Sequence, residues 1–156
     1  RGAIKFFDLP MSAFSSGPKD QRNIIIKNNI NIGTSICYEI AYSELVRNSA
    51  KNSNILLTMS NDSWFGKTIG PKQHFQIARM RAIENGKALI RATNDGVSAL
   101  IEADGKVSVT IPSFNRGILE GTLYPRSGST PFANNGSCPV IILSFLLVFV
   151  GWRIKK

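Results

Sequence analysis

The sequence contains few of the side chains that build metal or redox centres. It has two cysteines, Cys37 and Cys138, and one histidine, His74. The cysteines lie far apart in the chain and neither belongs to a Cys-x-x-Cys pair, which disfavours a zinc site. A disulfide is disfavoured because Cys37 ends a strand-like run, whereas Cys138 begins an apolar one. The residues therefore predict neither a metal nor a cofactor.

Acidic residues are also scarce. Ten Asp and Glu stand against 19 Lys and Arg, which gives a formal net charge of +9. A basic surface can bind nucleic acid or anionic lipid, or serve solubility alone. The sequence has no zinc-ligand spacing, Gly-rich phosphate loop or arginine-rich arm, so nucleic acid is not expected as a partner. A surface that faces lipid is favoured over one that binds nucleic acid.

An initiator methionine and a charged, then apolar, leader are absent from the start of the chain, which reads Arg-Gly-Ala. A secretory signal peptide would show both a basic and an apolar segment there. We therefore expect a fragment with further sequence upstream. Hydrophobic content of 43% and charged content of 19% are typical of a folded chain.

Charge is missing altogether from residues 127–152, and the stretch ends in a strongly apolar run before a basic tail. A bilayer requires about 20 apolar residues in a helix. We predict a globular domain over residues 1–125, a linker over 126–137 and a transmembrane helix over 138–153. The basic tail, 154–156, would be cytoplasmic. A buried helix of a soluble protein is the alternative, although such helices are seldom apolar on every side.

Apolar periodicity and turn residues predict alternating strands and helices. Strands are expected over residues 23–26, 30–36, 55–59, 89–93, 97–101, 106–111 and 117–122, and helices over 41–48 and 71–87. Asp104-Gly105 favours a tight hairpin turn. This order indicates an α/β layered fold.

Cys37 is the most informative single position. It follows an apolar strand and precedes Tyr38, Glu39 and a predicted helix. A nucleophile at a strand-to-helix turn is exposed at the sheet edge, where the following backbone N–H groups can stabilise an oxyanion. A thiolate there could carry an acyl group if a base or cation lies nearby. Inert packing, the usual role of a free cysteine, is the alternative.

His74 is the first base to consider for Cys37. It falls in the first turn of the predicted helix over 71–87, where a capping or surface role is the more common one. If His74 is not the base, a carboxylate must be, and the chemistry becomes one in which Glu activates Cys.

Several segments resemble the nitrilase superfamily. Residues 35–39, Ser-Ile-Cys-Tyr-Glu, resemble its nucleophile segment, and residues 73–85 resemble its helix ending in Arg-Ala-x-Glu-Asn. Residues 94–99 are similar to the strand that follows this helix in the superfamily. Within the superfamily, Ser-Asn-Asp-Ser-Trp-Phe-Gly at 60–66 resembles a loop of the apolipoprotein N-acyltransferase family. Residues 7–12 and Thr-Pro-Phe-Ala at 130–133 resemble the same family.

The resemblance implies that residues 1–125 are the C-terminal part of a nitrilase-like domain, a four-layer αββα sandwich, and that one membrane helix follows. The catalytic domain would lie on the periplasmic side of a bacterial inner membrane. The resemblance also implies a Glu-Lys-Cys triad and no cofactor. A phospholipid would donate its acyl chain to the cysteine as a thioester. The α-amino group of a diacylglyceryl-modified apolipoprotein would then accept the chain.

Carried onto this sequence, the resemblance makes Cys37 the nucleophile, Tyr38 the source of an oxyanion N–H and Glu39 the acidic neighbour. The remaining Glu and Lys of the triad would lie upstream of residue 1, so this chain alone is expected to be inactive. A membrane-tethered amidase or nitrilase of the same superfamily and a non-catalytic tethered domain are the alternatives.

The loop after the third strand carries the substrate or lid candidates Asn61, Trp64 and Phe65, with Gly66 and Gly70 as hinges. Ordinary loop packing is the alternative. A separate group on the predicted helix over 71–87 is interpreted as a structural ion network rather than as catalytic residues. It consists of Arg79, Arg81 and Glu84.

Overall fold

The computed structural model describes residues 22–155, so the family resemblance at residues 7–12 lies outside the described part. This described part contains six strands: β1 (Ile24–Ile26), β2 (Ile30–Ile36), β3 (Ile55–Asn61), β4 (Ala88–Asn94), β5 (Ser98–Ile101) and β6 (Val107–Ile111). It also contains four α-helices: α1 (Ser43–Ala50), α2 (Gly70–Asn85), α3 (Pro131–Asn135) and α4 (Cys138–Ile154).

The strands form one mixed sheet in the order β1-β2-β3-β4-β5-β6. The central strands β2, β3 and β4 are parallel, because α1 and α2 supply the crossovers that a parallel pair requires. Hairpins add β1 at one edge and β5 and β6 at the other, all antiparallel. The carboxyl ends of the three parallel strands therefore meet at one sheet edge.

Within residues 22–155, helices cover one face of this sheet and leave the other open. Leu56 of β3 and Leu89 of β4 are buried against Val46 of α1 and Ala78 and Ala82 of α2. Successive side chains in a strand point to opposite faces. Met59, on the other face of β3, is accordingly 46% exposed. The sheet thus has one packed face and one open face with apolar side chains.

The expected hairpin turn forms at Asp104-Gly105 between β5 and β6: the Gly105 N–H donates to the carbonyl of Glu102, and Gly105 takes a φ of 82°. Two other local expectations were wrong. Helix α1 begins at Ser43 rather than residue 41, because Cys37–Ala41 forms a 3₁₀ turn first. Residues 117–122 pair with none of the six strands and form no strand, and Ile118 there is 87% exposed.

The segment predicted as a linker is attached to the domain along much of its length. We name residues 126–136 the strap. The Lys87 ammonium donates to the carbonyls of Arg126 (2.8 Å) and Gly128 (2.9 Å). The Thr130 hydroxyl donates to the carbonyl of Glu84, and the Arg47 guanidinium to that of Ala133 (3.0 Å). These bonds fix the start of α4 relative to the sheet.

Helix α4 forms where an apolar helix was expected, and none of its residues is buried. Within residues 22–155, no helix is both long and apolar enough to cross a membrane. The expected helix is therefore present, but the structure does not support the expectation that it spans a bilayer.

Candidate active site

Cys37 lies where β2 ends at the carboxyl edge of the sheet. Its φ of 53° is in the left-handed region, which few residues other than glycine adopt. The strand bends sharply there and enters the 3₁₀ turn Cys37–Ala41. The thiol is partly exposed. A strained backbone at a strand-to-turn bend is the geometry that presents a nucleophile above a sheet.

Glu39 closes the turn that carries Cys37. Its Oε2 accepts a hydrogen bond of 2.7 Å from the backbone N–H of Ile36. A carboxylate that accepts an N–H at the start of a turn stabilises that turn. Tyr38 is exposed, and its ring packs edge-on to Tyr42 at 5.9 Å between centroids. In this structure the Glu39 side chain thus supports the backbone of the turn.

A buried polar cluster lies next to this turn. Asp62 follows β3, Arg91 lies in β4 and His74 comes from the first turns of α2, and all three are buried. Asp62 Oδ2 accepts from Arg91 Nη2 at 2.7 Å, and Asp62 Oδ1 lies 2.9 Å from His74 Nδ1. The hydroxyl of Ser60 donates to the same Oδ1 at 2.6 Å. The Tyr38 ring lies over His74 at 6.4 Å between centroids.

The pKa values of this cluster favour an ionised pair. Burial raises the pKa of Asp62, but hydrogen bonds from His74 and Ser60 and the charge of Arg91 together hold it below its usual range. Burial lowers the pKa of Arg91, and the charge of Asp62 and its hydrogen bond to the guanidinium oppose that effect. A carboxylate accepts only, so His74 Nδ1 carries the proton between them. A buried ion pair therefore lies next to the turn that carries Cys37.

The expectation that His74 is a capping or surface residue was wrong. The ring is 3% exposed, because Asp62 satisfies its Nδ1 and Phe65 packs edge-on against it at 6.0 Å. Asp62 and Arg91 were missed as members of a site. The available signal was the charge of Arg91 within an otherwise apolar strand, since a buried charge is nearly always paired.

The three substrate and lid candidates have different surroundings in the structure. The Asn61 side chain accepts from the backbone N–H of Ser63 at 3.2 Å and caps the turn Asp62–Phe65. Phe65 packs on Gly70 and His74, whereas Trp64 is 82% exposed. β2 and β3 pair in parallel up to Ile36 and Met59, so Trp64 lies at the same sheet edge as Cys37.

The predicted ion network on α2 is confirmed in part. Arg81 Nη1 lies 3.0 Å from Glu84 Oε2. Arg79 does not join them, because its Nε donates to the carbonyl of Gly105 and its Nη1 to Gln76. Arg79 therefore anchors the β5–β6 hairpin on α2.

The sequence is similar to bacterial acyltransferases. An apolipoprotein N-acyltransferase of Pseudomonas syringae pv. tomato is 48% identical over 154 residues, which are 99% of this chain and 30% of that protein. One of Vibrio cholerae serotype O1 is 46% identical over 158 residues, covering 100% of this chain and 31% of that protein. The chain thus spans less than a third of the length of these relatives.

Solved structures share the fold. A carbon-nitrogen hydrolase from Helicobacter pylori G27 superposes with a TM-score of 0.56 at 23% identity, over 64% of this chain and 42% of that one. Saccharomyces cerevisiae Nit3, of the nitrilase superfamily, gives 0.54 at 23% identity, over 63% and 39%. These likenesses confirm the expected nitrilase-like α/β fold. The profile described as "Carbon-nitrogen hydrolase" matches residues 8–131, and the chain therefore belongs to that family.

Proposed function

We propose that this chain is the C-terminal part of an apolipoprotein N-acyltransferase. Cys37 accepts a fatty acyl chain from a phospholipid and passes it to the α-amino group of a diacylglyceryl-modified apolipoprotein. The observation that carries the proposal is the strained turn at Cys37, in a chain similar to these enzymes over nearly its whole length. No cofactor is needed for this transfer.

The chemistry proceeds through a thioester. The Cys37 thiol gives its proton to a base, and the thiolate attacks the ester carbonyl of the phospholipid. The backbone N–H of Tyr38 stabilises the oxyanion, and the lysophospholipid leaves with the returned proton. The amine of the acceptor then attacks the thioester, forms the amide and releases the thiol. Glu39 supports these steps by holding the turn.

The open face of the sheet supports the proposal that the catalytic residues are divided between this chain and a second half of the same domain. Ile36 and Met59 leave apolar surface exposed on that face. A second sheet packed there would complete the four-layer sandwich. We propose that it lies in upstream sequence together with the base Glu and the Lys, so that this chain alone is inactive.

Helix α4 supports attachment to a membrane. Its apolar side chains are exposed around the helix, and Arg153 lies near its end beside basic residues. Exposed apolar side chains on a helix are stable in lipid. The helix would insert into the bacterial inner membrane, with the catalytic domain periplasmic and the tail cytoplasmic. The strap would then hold Cys37 at a set height above the bilayer.

Trp64 is the candidate for contact with the acyl chain. It is highly exposed at the sheet edge that carries Cys37, whereas Phe65 and Asn61 already have partners in the loop. A large exposed aromatic side chain suits a lipid interface. Phe65 and Asn61 would hold the loop that presents it.

An acyl-labelling assay tests the proposal. Full-length protein in membranes receives a phospholipid with an alkyne-tagged acyl chain, and label released by hydroxylamine is measured. Wild type should become labelled, and Cys37→Ala should lose the label while remaining in the membrane fraction. Cys138→Ala is the matched control and should keep it, and Trp64→Ala should raise the phospholipid concentration needed.

Normal labelling of Cys37→Ala would contradict the proposal. Release of ammonia from small amides without acyl label would favour an amidase instead. The membrane part is tested separately: residues 126–156 fused to a soluble reporter should sediment with membranes after carbonate washing. Recovery of the fusion in the supernatant would exclude attachment through α4.

A further inference from the structure

We infer that His74 is a positioning residue for the proposed reaction: its buried ring, held by Asp62, supports the side chain of Tyr38 and so orients the Tyr38 backbone N–H that is proposed to stabilise the oxyanion. The inference rests on the proposed acyl transfer at Cys37. It concerns a residue that takes no part in the proposed chemical steps and acts on them through Tyr38.

The turn that carries Cys37 needs support from the rest of the domain. Cys37 has a φ of 53°, and a strained backbone of this kind persists only where the surrounding structure fixes it. The bond from the N–H of Ile36 to Glu39 lies within the turn and its first neighbour, so it shapes the turn without attaching it. Ile40 is buried in the core and anchors the later part of the turn. The peptide between Cys37 and Tyr38 must therefore be held by another contact.

The Tyr38 ring provides that contact through His74. The ring packs on two others, that of Tyr42 at 5.9 Å and that of His74 at 6.4 Å between centroids, with 39° between the planes of the second pair. Tyr42 follows the same turn and is exposed, whereas His74 lies on α2 and is buried. His74 is therefore the ring of the two that joins Tyr38 to the packed domain. A fixed Tyr38 ring restricts rotation of the peptide that carries its N–H.

The His74 ring is itself held in place. Its Nδ1 lies 2.9 Å from Asp62 Oδ1, and Asp62 is fixed in turn by Arg91 at 2.7 Å. Phe65 packs edge-on against the ring at 6.0 Å. Within residues 22–155, Nε2 is buried and has no hydrogen-bond partner, which is unfavourable for a polar atom. Phenylalanine would pack without that cost, so the bond to Asp62 is what a histidine adds at this position.

The test compares acyl transfer with alkylation of the same thiol in the full-length protein in membranes. Acyl labelling of Cys37 is timed at saturating alkyne-tagged phospholipid, and iodoacetamide alkylation is followed by peptide mass spectrometry. Alkylation displaces iodide from a saturated carbon and forms no oxyanion, so it does not need the Tyr38 N–H. His74→Asn keeps a donor for Asp62 but removes the ring. It should slow acylation about tenfold, less than the roughly 10²–10³-fold effect of deleting an oxyanion donor, and leave alkylation within about twofold.

A double-variant cycle tests whether His74 acts through Tyr38. Tyr38→Ala removes the same contact from the other side and should slow acylation to a similar degree. Residues that act as one unit give a combined loss close to the single losses, whereas independent losses multiply to about a hundredfold. A hundredfold loss in the double variant overturns the inference. Gln73→Ala is the matched control, since this neighbouring residue on α2 is exposed, and both of its rates should equal those of wild type.

Folded His74→Asn that acylates at the wild-type rate, or that loses acylation and alkylation equally, also overturns the inference. Thermal melting establishes which variants fold. If His74→Asn does not fold, Tyr38→Ala decides, because its ring is exposed: slower acylation with unchanged alkylation supports the inference, and wild-type acylation overturns it. Each of these failures leaves the proposed function intact while acyl labelling still depends on Cys37. Labelling that persists in Cys37→Ala ends the proposed function, whatever His74 does.

Discussion

At the scale of single residues, the Asp62 carboxylate organises the candidate site. Its two oxygens bind Arg91, His74 and Ser60, and the first two come from different elements. Removing one partner of a buried ion pair typically costs about 3–5 kcal/mol, because the other charge remains uncompensated. The Asp62 carboxylate is therefore stable only when all of its partners are in place and no other atom occupies its position.

Gly96 provides that space. A Cβ at position 96 would clash with Asp62 Oδ2 and lie 2.7 Å from Thr93 Oγ1. Gly96→Ala should lower the free energy of unfolding by about 1–3 kcal/mol, because the carboxylate must move away from its partners. Chemical denaturation of the full-length protein measures the loss. Gly151→Ala is the control, since nothing lies within 4 Å of its added methyl group, and equal losses would contradict the argument.

At the scale of elements, the strap couples α2 to α4. Helix α2 ends at Asn85, Gly86 caps it with a left-handed φ of 61°, and the chain then turns Lys87 inward. Burial lowers the pKa of Lys87, whose ammonium donates to two carbonyls of the strap. The composition of the segment predicts a linker, yet these bonds attach it to the domain.

Lys87→Met should release the strap. The methionine retains the apolar stem but loses both hydrogen bonds to the Arg126 and Gly128 carbonyls, and bonds to a charged donor contribute about 1.5–3 kcal/mol. Trypsin cleavage after Arg126 should become roughly tenfold faster, since it depends on local opening. Lys106→Met, at an exposed hairpin position, is the control. An unchanged cleavage rate would show that Lys87 does not hold the strap.

At the scale of the whole molecule, the two sheet faces differ. One carries α1 and α2, and the other leaves Ile36 and Met59 exposed at the carboxyl edge. Monomeric proteins seldom expose large contiguous apolar patches. This face is therefore where we place the second sheet of the proposed full-length enzyme.

Met59→Asp tests that packing. In the full-length protein the carboxylate would be buried without a partner, which should lower the melting temperature by several degrees. Intrinsic fluorescence during heating measures the change. Ile118→Asp is the control, because Ile118 is 87% exposed on an irregular segment. Equal melting temperatures for the two variants would argue against a covering layer on this face.

Much of the fold was predictable because strands and helices depend on patterns among residues that are close in sequence. Apolar periodicity predicts β2 and α2 within a few residues of their observed bounds, and the position of Cys37 at the end of a strand follows from it. Residues 117–122 alternate as a strand would, yet form none, because pairing requires a neighbouring edge that the pattern does not describe.

The sequence by itself determined the order of strands and helices up to β6, the family and the position of Cys37, since spacing and motifs are properties of neighbouring residues. Only the tertiary structure brought Asp62 to Arg91, 29 residues away, and buried His74 beside them. Such contacts depend on sheet register and on charges that compensate each other across elements. The separate fates of Trp64 and Phe65, one exposed and one packed, were decided in the same way by what surrounds each side chain.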